Sequence, residues 1–375
     1  MTGLGSPIQG VTLYSFTRAF HGRQYDLDGL IRKVAAEGFG PGLEIIGFSS
    51  LRGFPDRIDD SFVGHFRDLV AEVDLVPTSL AVNVDTGIRR DRLMNHDELV
   101  EYMRKQIEVA SRLGFPIARV QISLTPDAME SLLPVAEQYG VTLALEVHAD
   151  QHGAHERVLA LRDRYEKLNS PLLGFTADWG ATVTGFAPSL IEAYRRRGAS
   201  EELLQQVVDL WNGFYAEGPP NTQQVHGERF GAFIGLAARN GRPDLGIDFA
   251  INGTGLFGPA PIDTWLEIMP FVKHVHGKFF GIDANGEEPS VPVRQLVRQL
   301  VENGYSGAIS SEYEGWHWNN WEDPFEIIRG EQAVQRSAAA NAGSAMITDP
   351  AEARRILNSH RAAGPRLSRN GYHHV

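Results

Sequence analysis

Eight short, mostly apolar runs alternate along this chain with longer segments whose apolar residues recur at helical spacing. Alternation of this kind is typical of repeated strand–helix units that build a parallel sheet. Runs that are apolar on both faces indicate strands covered on both sides, and eight such units predict a closed (β/α)8 TIM barrel. The predicted strands span residues 11–16, 43–48, 76–83, 118–124, 141–148, 172–179, 272–280 and 308–314.

One interval between predicted strands is much longer than a single loop and helix require. It separates strands six and seven, and most of it, residues 181–246, surrounds an amphipathic segment that contains Leu203, Val207 and Trp211. Because barrels carry function on the loops at the carboxyl ends of their strands, we interpret it as a helical insertion on the catalytic face. We expect residues 1–375 to form a single domain, with residues 343–375 as a C-terminal extension.

The composition argues against several classes of function. The 375 residues carry a net charge of −12 and include no cysteine. This negative field and the shortness of the basic runs argue against binding to a nucleic-acid backbone. No stretch approaches the roughly 18 apolar residues of a membrane span, and no secretory signal is visible, so we expect a cytoplasmic protein without a membrane partner. Without thiolates, any metal site must use His, Asp and Glu, which favour harder cations.

Four successive predicted strands, five to eight, each carry an acidic or imidazole side chain near the carboxyl end. These side chains are Glu146, Asp178, His276 and Glu312. Neighbouring barrel strands lie about 4.8 Å apart, so we expect the four groups to converge at one height. A single glutamate in such a position is often only a salt-bridge partner, but three carboxylates this close cannot all stay ionised without a cation. The quartet therefore predicts a site for one divalent metal ion.

Further polar residues lie close to this quartet. The segment HVHGK places His274, His276 and Lys278 at alternate positions of a strand, so all three point the same way. Lys278 is a candidate for contact with the reacting group, and His274 either contacts the substrate or supports a ligand. His148, nearer the mouth on strand five, is either a catalytic group or a satisfied core histidine. Glu314 is either a substrate contact or half of a salt bridge.

The segment YEGWHWNNW, at the end of strand eight and beyond, is unusually aromatic for a loop. Trp316 and Trp318 could cover a sugar or an aromatic ligand, and the alternative is an interface with a partner protein, where tryptophan is also enriched. We expect these two rings and the insertion to form one wall of a pocket that is too elaborate for a free monosaccharide.

The motifs LEVH and HVHGKF, with Glu, Asp, His and Glu on strands five to eight, resemble the xylose-isomerase-like TIM barrels over roughly residues 10–330. This superfamily includes sugar 3-epimerases and inosose dehydratase. The resemblance implies that Glu146, Asp178, His276 and Glu312 bind one divalent cation that holds adjacent oxygens of a sugar. Manganese is the first expectation for this cation, with magnesium or cobalt as alternatives.

Within this superfamily, the segments TLYSFTRAF, EVHAD, ADWG and SSEYEGWHW look most like the catalytic α subunits of bacterial C-glycoside deglycosidases. That resemblance implies a separately encoded small β subunit, a hetero-oligomer and a small glycoside as substrate. One departure weakens the epimerase alternative: many sugar epimerases place an arginine six residues after the metal histidine, and Ile282 stands there in this chain.

The narrower resemblance implies a lyase. A C-glycoside has no glycosidic oxygen to protonate, so cleavage of a 3-oxo-C-glycoside would start with removal of the C2 proton and continue with β-elimination of the aglycone. We assign His148 as the base and Lys278 to the developing oxyanion, with Glu146 or Glu312 as the alternative base. Two other hypotheses stay open: a metal-dependent isomerase or epimerase of ketoses, which would use both glutamates, and a non-catalytic sugar-binding subunit.

Overall fold

Eight parallel strands pair in sequence order and close into a barrel, which confirms the predicted TIM barrel. The computed structural model describes residues 3–121, 123–220 and 222–362. The strands are β1 Ile8–Thr12, β2 Gly42–Ile46, β3 Val76–Val82, β4 Ile117–Val120, β5 Thr142–Val147, β6 Leu173–Asp178, β7 Val272–Phe279 and β8 Ala308–Tyr313. Nearly every residue of these strands is buried, because the barrel interior covers one face and the helices cover the other.

Helices follow the strands around the barrel, and further helices lie in the insertion after β6 and in the C-terminal extension. They are α1 Thr17–His21, α2 Leu27–Ala36, α3 Gly47–Ser50, α4 Asp60–Glu72, α5 His96–Leu113, α6 Pro126–Ser131, α7 Leu133–Tyr139, α8 Glu156–Leu168, α9 Pro188–Arg196, α10 Glu201–Glu217, α11 Gln223–Arg239, α12 Pro243–Gly255, α13 Val293–Glu302, α14 Pro324–Asn341 and α15 Pro350–Ala362. Short 3₁₀ turns span Leu13–Phe16, Trp179–Ala181, Ile262–Glu267, Met269–Phe271 and Glu314–His317.

The predicted ends of several strands were wrong. Strand one was predicted over residues 11–16, but β1 ends at Thr12, whose side chain caps a 3₁₀ turn. Strand two was predicted to reach residue 48, but α3 begins at Gly47. Strand four was predicted over 118–124, whereas β4 ends at Val120, and Ile122 lies outside the described residues. Apolar runs continue from strands into the turns that pack on the barrel, so hydrophobicity alone does not mark where a strand ends.

The insertion between β6 and β7 is helical and comprises α9 to α12. Its predicted boundary at residue 246 falls inside α12, so the helical segment extends to Gly255. Helices α11 and α12 pack against each other at Gly253, where a Cβ atom would lie 2.5 Å from the Phe233 ring. A side chain at that position would therefore separate the two helices.

The C-terminal extension closes the amino-terminal end of the barrel. Ile347 pairs with Ile8 of β1, and Leu357 of α15 packs in the cluster that Val76 and Ala308 complete at the starts of β3 and β8. The extension was expected over residues 343–375, of which 363–375 lie outside the described residues. In the described part of the chain, no helix is long and apolar enough to cross a membrane.

Candidate active site

The structure brings the predicted quartet to the carboxyl end of the barrel but staggers its members. Asp178 on β6 pairs with His276 on β7, whereas Glu312 on β8 lies level with Lys278, one pleat further on. Glu146 on β5 pairs with Thr176, one pleat below Asp178. The four groups therefore do not lie at one height as expected, because closing a barrel requires each strand to shift relative to its neighbour.

Three members of the quartet approach one another closely enough to share a metal ion. Ligand atoms of Glu146, Asp178 and His276 all lie within 4.8 Å of one another, and all three side chains are buried. Glu312 Oε2 lies 3.4 Å from His276 Nδ1, at the edge of this group. The carboxylate groups of the quartet thus lie around His276 Nδ1.

A glutamate deep in the barrel holds His276 from the other side. Glu44 on β2 accepts from His276 Nε2 at 2.9 Å and from His274 Nε2 at 3.0 Å. Burial opposes the ionisation of Glu44, but the His276 and His274 rings lower its pKa well below the usual range. An ionised carboxylate can only accept hydrogen bonds, so both Nε2 atoms carry hydrogen and His276 must use Nδ1 toward the quartet.

His274 is fully buried below the quartet and also lies 3.1 Å from Ser310 Oγ. Its ring therefore supports Glu44 and has no access to a sugar in this structure. This position fits the support of a ligand that the sequence suggested, and it does not fit the direct substrate contact that was the other expectation for His274.

The carboxylates of the site have unused acceptor capacity. Asp178 Oδ2, Glu312 Oε2 and Glu314 Oε2 are buried and, among the described residues, accept no hydrogen bond of good geometry. Burial raises the pKa of Glu312 to about 8, and the neighbouring Asp178 and Glu314 charges add to the rise against the opposing cations His276 and Lys278. A divalent cation would coordinate buried oxygen atoms of this kind and balance their charge. A ligand set of carboxylates plus one imidazole suits such an ion.

The imidazole proton of His276 would have to leave when a cation binds. Burial disfavours a charged ring, but the Glu312 and Glu44 carboxylates raise the pKa of His276 well above its usual range. Nδ1 therefore faces Glu146 Oε1 at 2.7 Å with its proton. Metal binding to this nitrogen releases the proton, so the residues present fit a metal ion whose affinity rises with pH.

Lys278 lies at the centre of the acidic group. Its Nζ is 2.8 Å from Asp178 Oδ2, 3.3 Å from Glu314 Oε2 and 3.7 Å from Glu312 Oε2. Burial would lower the pKa of Lys278, but the carboxylates of Asp178, Glu314 and Glu312 raise it well above the usual range. The side chain is therefore an ammonium ion that can donate to an oxyanion but does not act as a base.

His148 lies directly after β5, between Lys278 and the mouth of the barrel. Its Nδ1 is 2.6 Å from the carbonyl oxygen of Ala149, an acceptor only, so the hydrogen of the neutral ring is on Nδ1. Nε2 then carries the lone pair and lies 2.9 Å from Lys278 Nζ, which donates to it. The side chain is about a quarter exposed, at 27%. The Nε2 lone pair is therefore paired with the Lys278 ammonium in this structure, and it would become available to a molecule at the mouth when Lys278 donates to another acceptor.

Glu314 lies on the other side of Lys278 and belongs to a small network. Tyr14 Oη donates to Glu314 Oε1 at 3.1 Å and is 2.9 Å from His317 Nε2. Burial raises the pKa of Glu314, but the Lys278 and His317 charges lower it overall. Glu314 therefore forms a salt bridge with Lys278, which was one of its two expected roles. Its Oε2 atom faces Lys278 inside the site.

The aromatic turn after β8 contacts the insertion. Trp318 Nε1 donates to Ser189 Oγ of α9 at 3.1 Å, and the Trp318 ring stacks on Phe280 with centroids 5.9 Å apart. The Trp316 ring packs edge-on against Tyr14 at 5.2 Å. A cavity of about 470 Å³, lined by α9, α12 and this turn, opens beside His317 and Trp318. The insertion and the turn thus form one continuous wall beside the site.

Two charged residues of the site escaped the sequence analysis. Glu44, in GLEII, holds the histidines, and Arg119, in IARV, places Nη1 3.3 Å from Glu146 Oε2. Arg119 and His276 lower the pKa of Glu146, although burial raises it. Both residues stand inside otherwise apolar strands, and charged side chains are almost never fully buried unless they are paired. A charged residue inside a predicted apolar strand was therefore the available signal for both.

The chain is similar in sequence to alpha subunits of deglycosidases. A C-glycoside deglycosidase alpha subunit of Arthrobacter globiformis is 92% identical over 362 residues, which cover 96% of this chain and 99% of the relative. A 3'-dehydrocarminate deglycosidase alpha subunit of a Microbacterium species is 48% identical over 336 residues, which cover 90% of this chain and 96% of the relative. No family model matches the chain.

Comparison with solved structures supports the fold. A xylose isomerase domain protein from Planctomyces limnophilus superposes with a TM-score of 0.51, at 12% sequence identity, over 91% of this chain and 99% of that chain. At this identity the likeness shows a shared TIM-barrel fold, and it transfers no activity.

Proposed function

The chain belongs to the family of C-glycoside deglycosidase alpha subunits, and we propose that it cleaves the carbon–carbon bond between an oxidised sugar and its aglycone by elimination. The proposed substrate is a 3-oxo-C-glycoside. The name of the 48%-identical relative supports an oxidised sugar, because its substrate is a dehydro compound. The word alpha in the names of both relatives supports a hetero-oligomer with a second, smaller subunit.

The chemistry of the bond argues for elimination. Glycosidases protonate a glycosidic oxygen between two carboxylates, but a C-glycoside has a carbon atom at that position without a lone pair. A ketone at C3 makes the C2 hydrogen acidic and places the C1–aglycone bond β to the carbonyl. Removal of the C2 proton therefore opens a route that hydrolysis lacks.

A divalent cation is the proposed cofactor, with manganese ahead of magnesium and cobalt. Glu146, Asp178, His276 and Glu312 would hold it. The support is the close approach of the Glu146, Asp178 and His276 ligand atoms, together with the buried Asp178 Oδ2 and Glu312 Oε2 atoms, which accept no hydrogen bond of good geometry among the described residues. When bound, the cation supplies Lewis-acid stabilisation of negative charge on the sugar oxygens. The roles of Glu44 and Arg119 are to keep His276 and Glu146 oriented.

His148 Nε2 is the proposed base. It takes the C2 proton, and the electrons of the C2–H bond form the enolate whose oxygen the Lys278 ammonium stabilises. When the C3 carbonyl re-forms, a C1–C2 double bond appears and the electron pair of the C1–aglycone bond goes to the aglycone carbon. The aglycone carbon takes a proton from the Lys278 ammonium. His148 then passes the proton that it took from C2 to Lys278, so no proton is gained or lost overall. Glu146 or Glu312 is the alternative base.

The remaining polar and aromatic residues would bind the substrate. Glu314 Oε2 lies 3.3 Å from Lys278 Nζ and has acceptor capacity left for a sugar hydroxyl group. Trp316 and Trp318 could cover the aglycone from the wall beside the site. His274 would act only through Glu44.

The contact of His148 Nε2 with Lys278 Nζ at 2.9 Å, beside the candidate metal ligands, is the observation on which this proposal rests most. We expect His148→Gln to keep its metal content and to release aglycone from a 3-oxo-C-glucoside at least about 100-fold more slowly, the scale of a lost general base. The matched control is His152→Gln, which changes a histidine of the same loop outside the acidic group. The assay uses the complex with the partner subunit, and exchange of the C2 hydrogen with D₂O is followed in parallel.

Three results would contradict the proposal. Full activity of His148→Gln would move the base to Glu146 or Glu312. Epimerisation of free ketoses without aglycone release would replace the lyase by an epimerase. Metal-dependent ligand binding without hydrogen exchange would leave a sugar-binding subunit.

A further inference from the structure

The mouth of the barrel is covered unevenly. The insertion α9–α12 rises after β6, and the turn after β8 is tied to α1, because Arg18 donates to the carbonyl oxygens of Trp316 and His317. The loops after β2 and β3 carry no comparable insertion. The side of the mouth formed by these two loops is therefore lower than the side that the insertion covers.

Large apolar side chains are exposed along this lower side. Phe48, in α3 after β2, is 50% exposed, and Ile88 and Leu93, in the loop after β3, are 55% and 67% exposed. We call these three residues and the arginines described below the β2–β3 rim. Single exposed apolar residues are common, but an aromatic and two aliphatic side chains on adjacent loops are typical of a protein-binding surface.

The loop that carries Ile88 and Leu93 is braced. The Met94 N–H donates to the Thr86 carbonyl oxygen at 2.8 Å and closes the loop on itself. Arg89 and Arg92, on either side of the loop tip, both pair with Glu98 of α5, at 2.9 and 2.7 Å. The two apolar side chains are thus held outward on an ordered support, which lowers the entropy cost of binding a partner.

The two loops are neighbours. Ile46 at the end of β2 pairs with Ala81 of β3, so α3 and the β3 loop leave the barrel side by side. Asp56 of the β2 loop pairs with Lys105 of α5 at 2.8 Å, which joins this loop to the helix that braces the β3 loop. The rim is therefore one surface.

The rim also carries positive charge that its own chain does not neutralise. Arg52, Arg57 and Arg90 are exposed and form no ion pair within the described ranges 3–121, 123–220 and 222–362. Two acidic groups of the same loops are engaged in ion pairs, Asp56 with Lys105 and Asp91 with Arg89, whereas Asp59 and Asp85 accept only from the backbone N–H groups of Phe62 and Gly87 in the described ranges. In a protein with a net charge of −12, three free guanidinium groups beside exposed apolar side chains are complementary to a surface of the opposite charge.

We propose that the β2–β3 rim is the docking surface for the partner subunit, a polypeptide that presents apolar side chains flanked by carboxylates. This inference rests on the proposed function, in which the chain is one subunit of a hetero-oligomer. Apolar anchors surrounded by arginine are the usual anatomy of a protein interface. A subunit seated here would also complete the low side of the mouth and exclude water from the site.

The test compares apolar-to-charged variants at positions that are each at least half exposed. Leu93→Asp and Phe48→Asp lie in the rim, and Ile247→Asp, at 52% exposure on α12 of the insertion, is the matched control. The probe is the partner subunit of the Arthrobacter globiformis relative, titrated calorimetrically, with the mass of the complex followed by sedimentation. We expect each rim variant to weaken binding at least about tenfold, the scale of an interface anchor, and the control to bind like the wild type. All variants are checked for unchanged melting temperature.

Charge reversal tests the second half of the inference. The double variant Arg57→Glu and Arg90→Glu should weaken binding further at low salt than at high salt, because screening removes an attraction between exposed charges. A loss of binding in Ile247→Asp with the rim variants unaffected would place the interface on the insertion and overturn the proposal. Absence of binding by the wild type, or a change of self-association in the rim variants, would overturn it as well.

The two proposals can fail separately. A rim-dependent complex that releases no aglycone would leave the docking surface standing and remove the proposed activity. If the rim variants bind the partner subunit with unchanged affinity and their complexes release aglycone at the wild-type rate, the proposed activity would stand and the docking surface would be ruled out.

Discussion

At the scale of single residues, Glu44 decides which nitrogen of His276 faces the carboxylates. It is a carboxylate that accepts from two imidazole groups, with both contacts near 3 Å, at 2.9 and 3.0 Å. A partner that fixes the tautomer of a metal-binding histidine also fixes the ring orientation and the basicity of the ligand nitrogen. The ability of His276 to bind a cation is therefore expected to depend on Glu44, which lies deeper in the barrel.

Glu44→Gln tests this dependence. The glutamine amide can donate, so it can reverse the hydrogen bond to His276 and place the ring proton on Nδ1, where the metal should bind. We expect the manganese dissociation constant to rise about 10- to 100-fold, as measured by competition with a fluorescent chelator. The ¹⁵N shifts of the His276 ring report the tautomer without reference to activity.

The control for Glu44→Gln is Ser310→Ala, which removes only the 3.1 Å contact to His274. It should change the metal affinity little. An unchanged dissociation constant and unchanged ring shifts in Glu44→Gln would contradict the role assigned to Glu44.

At the scale of elements, the contact between α14 and β8 contains a buried carboxyl group. Glu331 of α14 accepts from Ser311 Oγ of β8 at 2.7 Å and from Gln335 Nε2. Burial raises its pKa to about 7, against these hydrogen bonds and Arg336, which lower it. A carboxyl group whose pKa is higher in the folded than in the unfolded chain favours folding at low pH, and this contribution is lost as the pH rises through the folded-state value.

Glu331→Gln should therefore change stability in a pH-dependent way. The glutamine is neutral at every pH, so the stability of the variant relative to wild type should increase between pH 5 and pH 8.5. Each unit of pKa shift corresponds to about 1.4 kcal/mol, so the relative gain should reach a few kcal/mol. Urea unfolding at the two pH values measures it. Glu326→Gln, which changes an exposed glutamate on the same helix, is the matched control. A pH-independent difference for Glu331→Gln would contradict the shifted pKa.

At the scale of the whole molecule, the residues of the proposed metal site lie on four strands of one barrel, so binding of a cation there would be coupled to folding. A cation that binds only the folded chain adds about 2.7 kcal/mol of stability at 100 times its dissociation constant. With an unfolding entropy of about 2 cal/mol/K per residue, we expect manganese to raise the melting temperature by about 3 °C and a chelator to reverse the rise.

Asp178→Asn separates this effect from general stabilisation by salt. The asparagine carbonyl group can still accept from the Gly180 N–H, the 2.7 Å bond that Asp178 Oδ1 makes, but the charged ligand oxygen is lost. The variant should show no shift with manganese. An equal shift in the variant and the wild type, measured by scanning calorimetry, would mean that the cation binds elsewhere.

The sequence by itself determined the barrel and the faces of its strands. Strand periodicity is local, so it placed Glu146, Asp178, His276 and Glu312 at the carboxyl ends of β5 to β8. Helix ends also carry local signals: the Thr125 side chain caps α6, and Gly140 ends α7. Helices α6 and α7 are separate, because Pro134 has no N–H with which to continue the first.

Only the tertiary structure decided which distant groups meet. Glu44 and His276 are 232 positions apart along the chain, and no local pattern relates β2 to β7. Closure of the barrel brings opposite strands together across its interior, and the stagger of the strands sets the heights of Glu146 and Glu312 relative to Asp178. Periodicity fixes the direction in which a side chain points, whereas its partner depends on long-range packing, which requires the whole closed sheet.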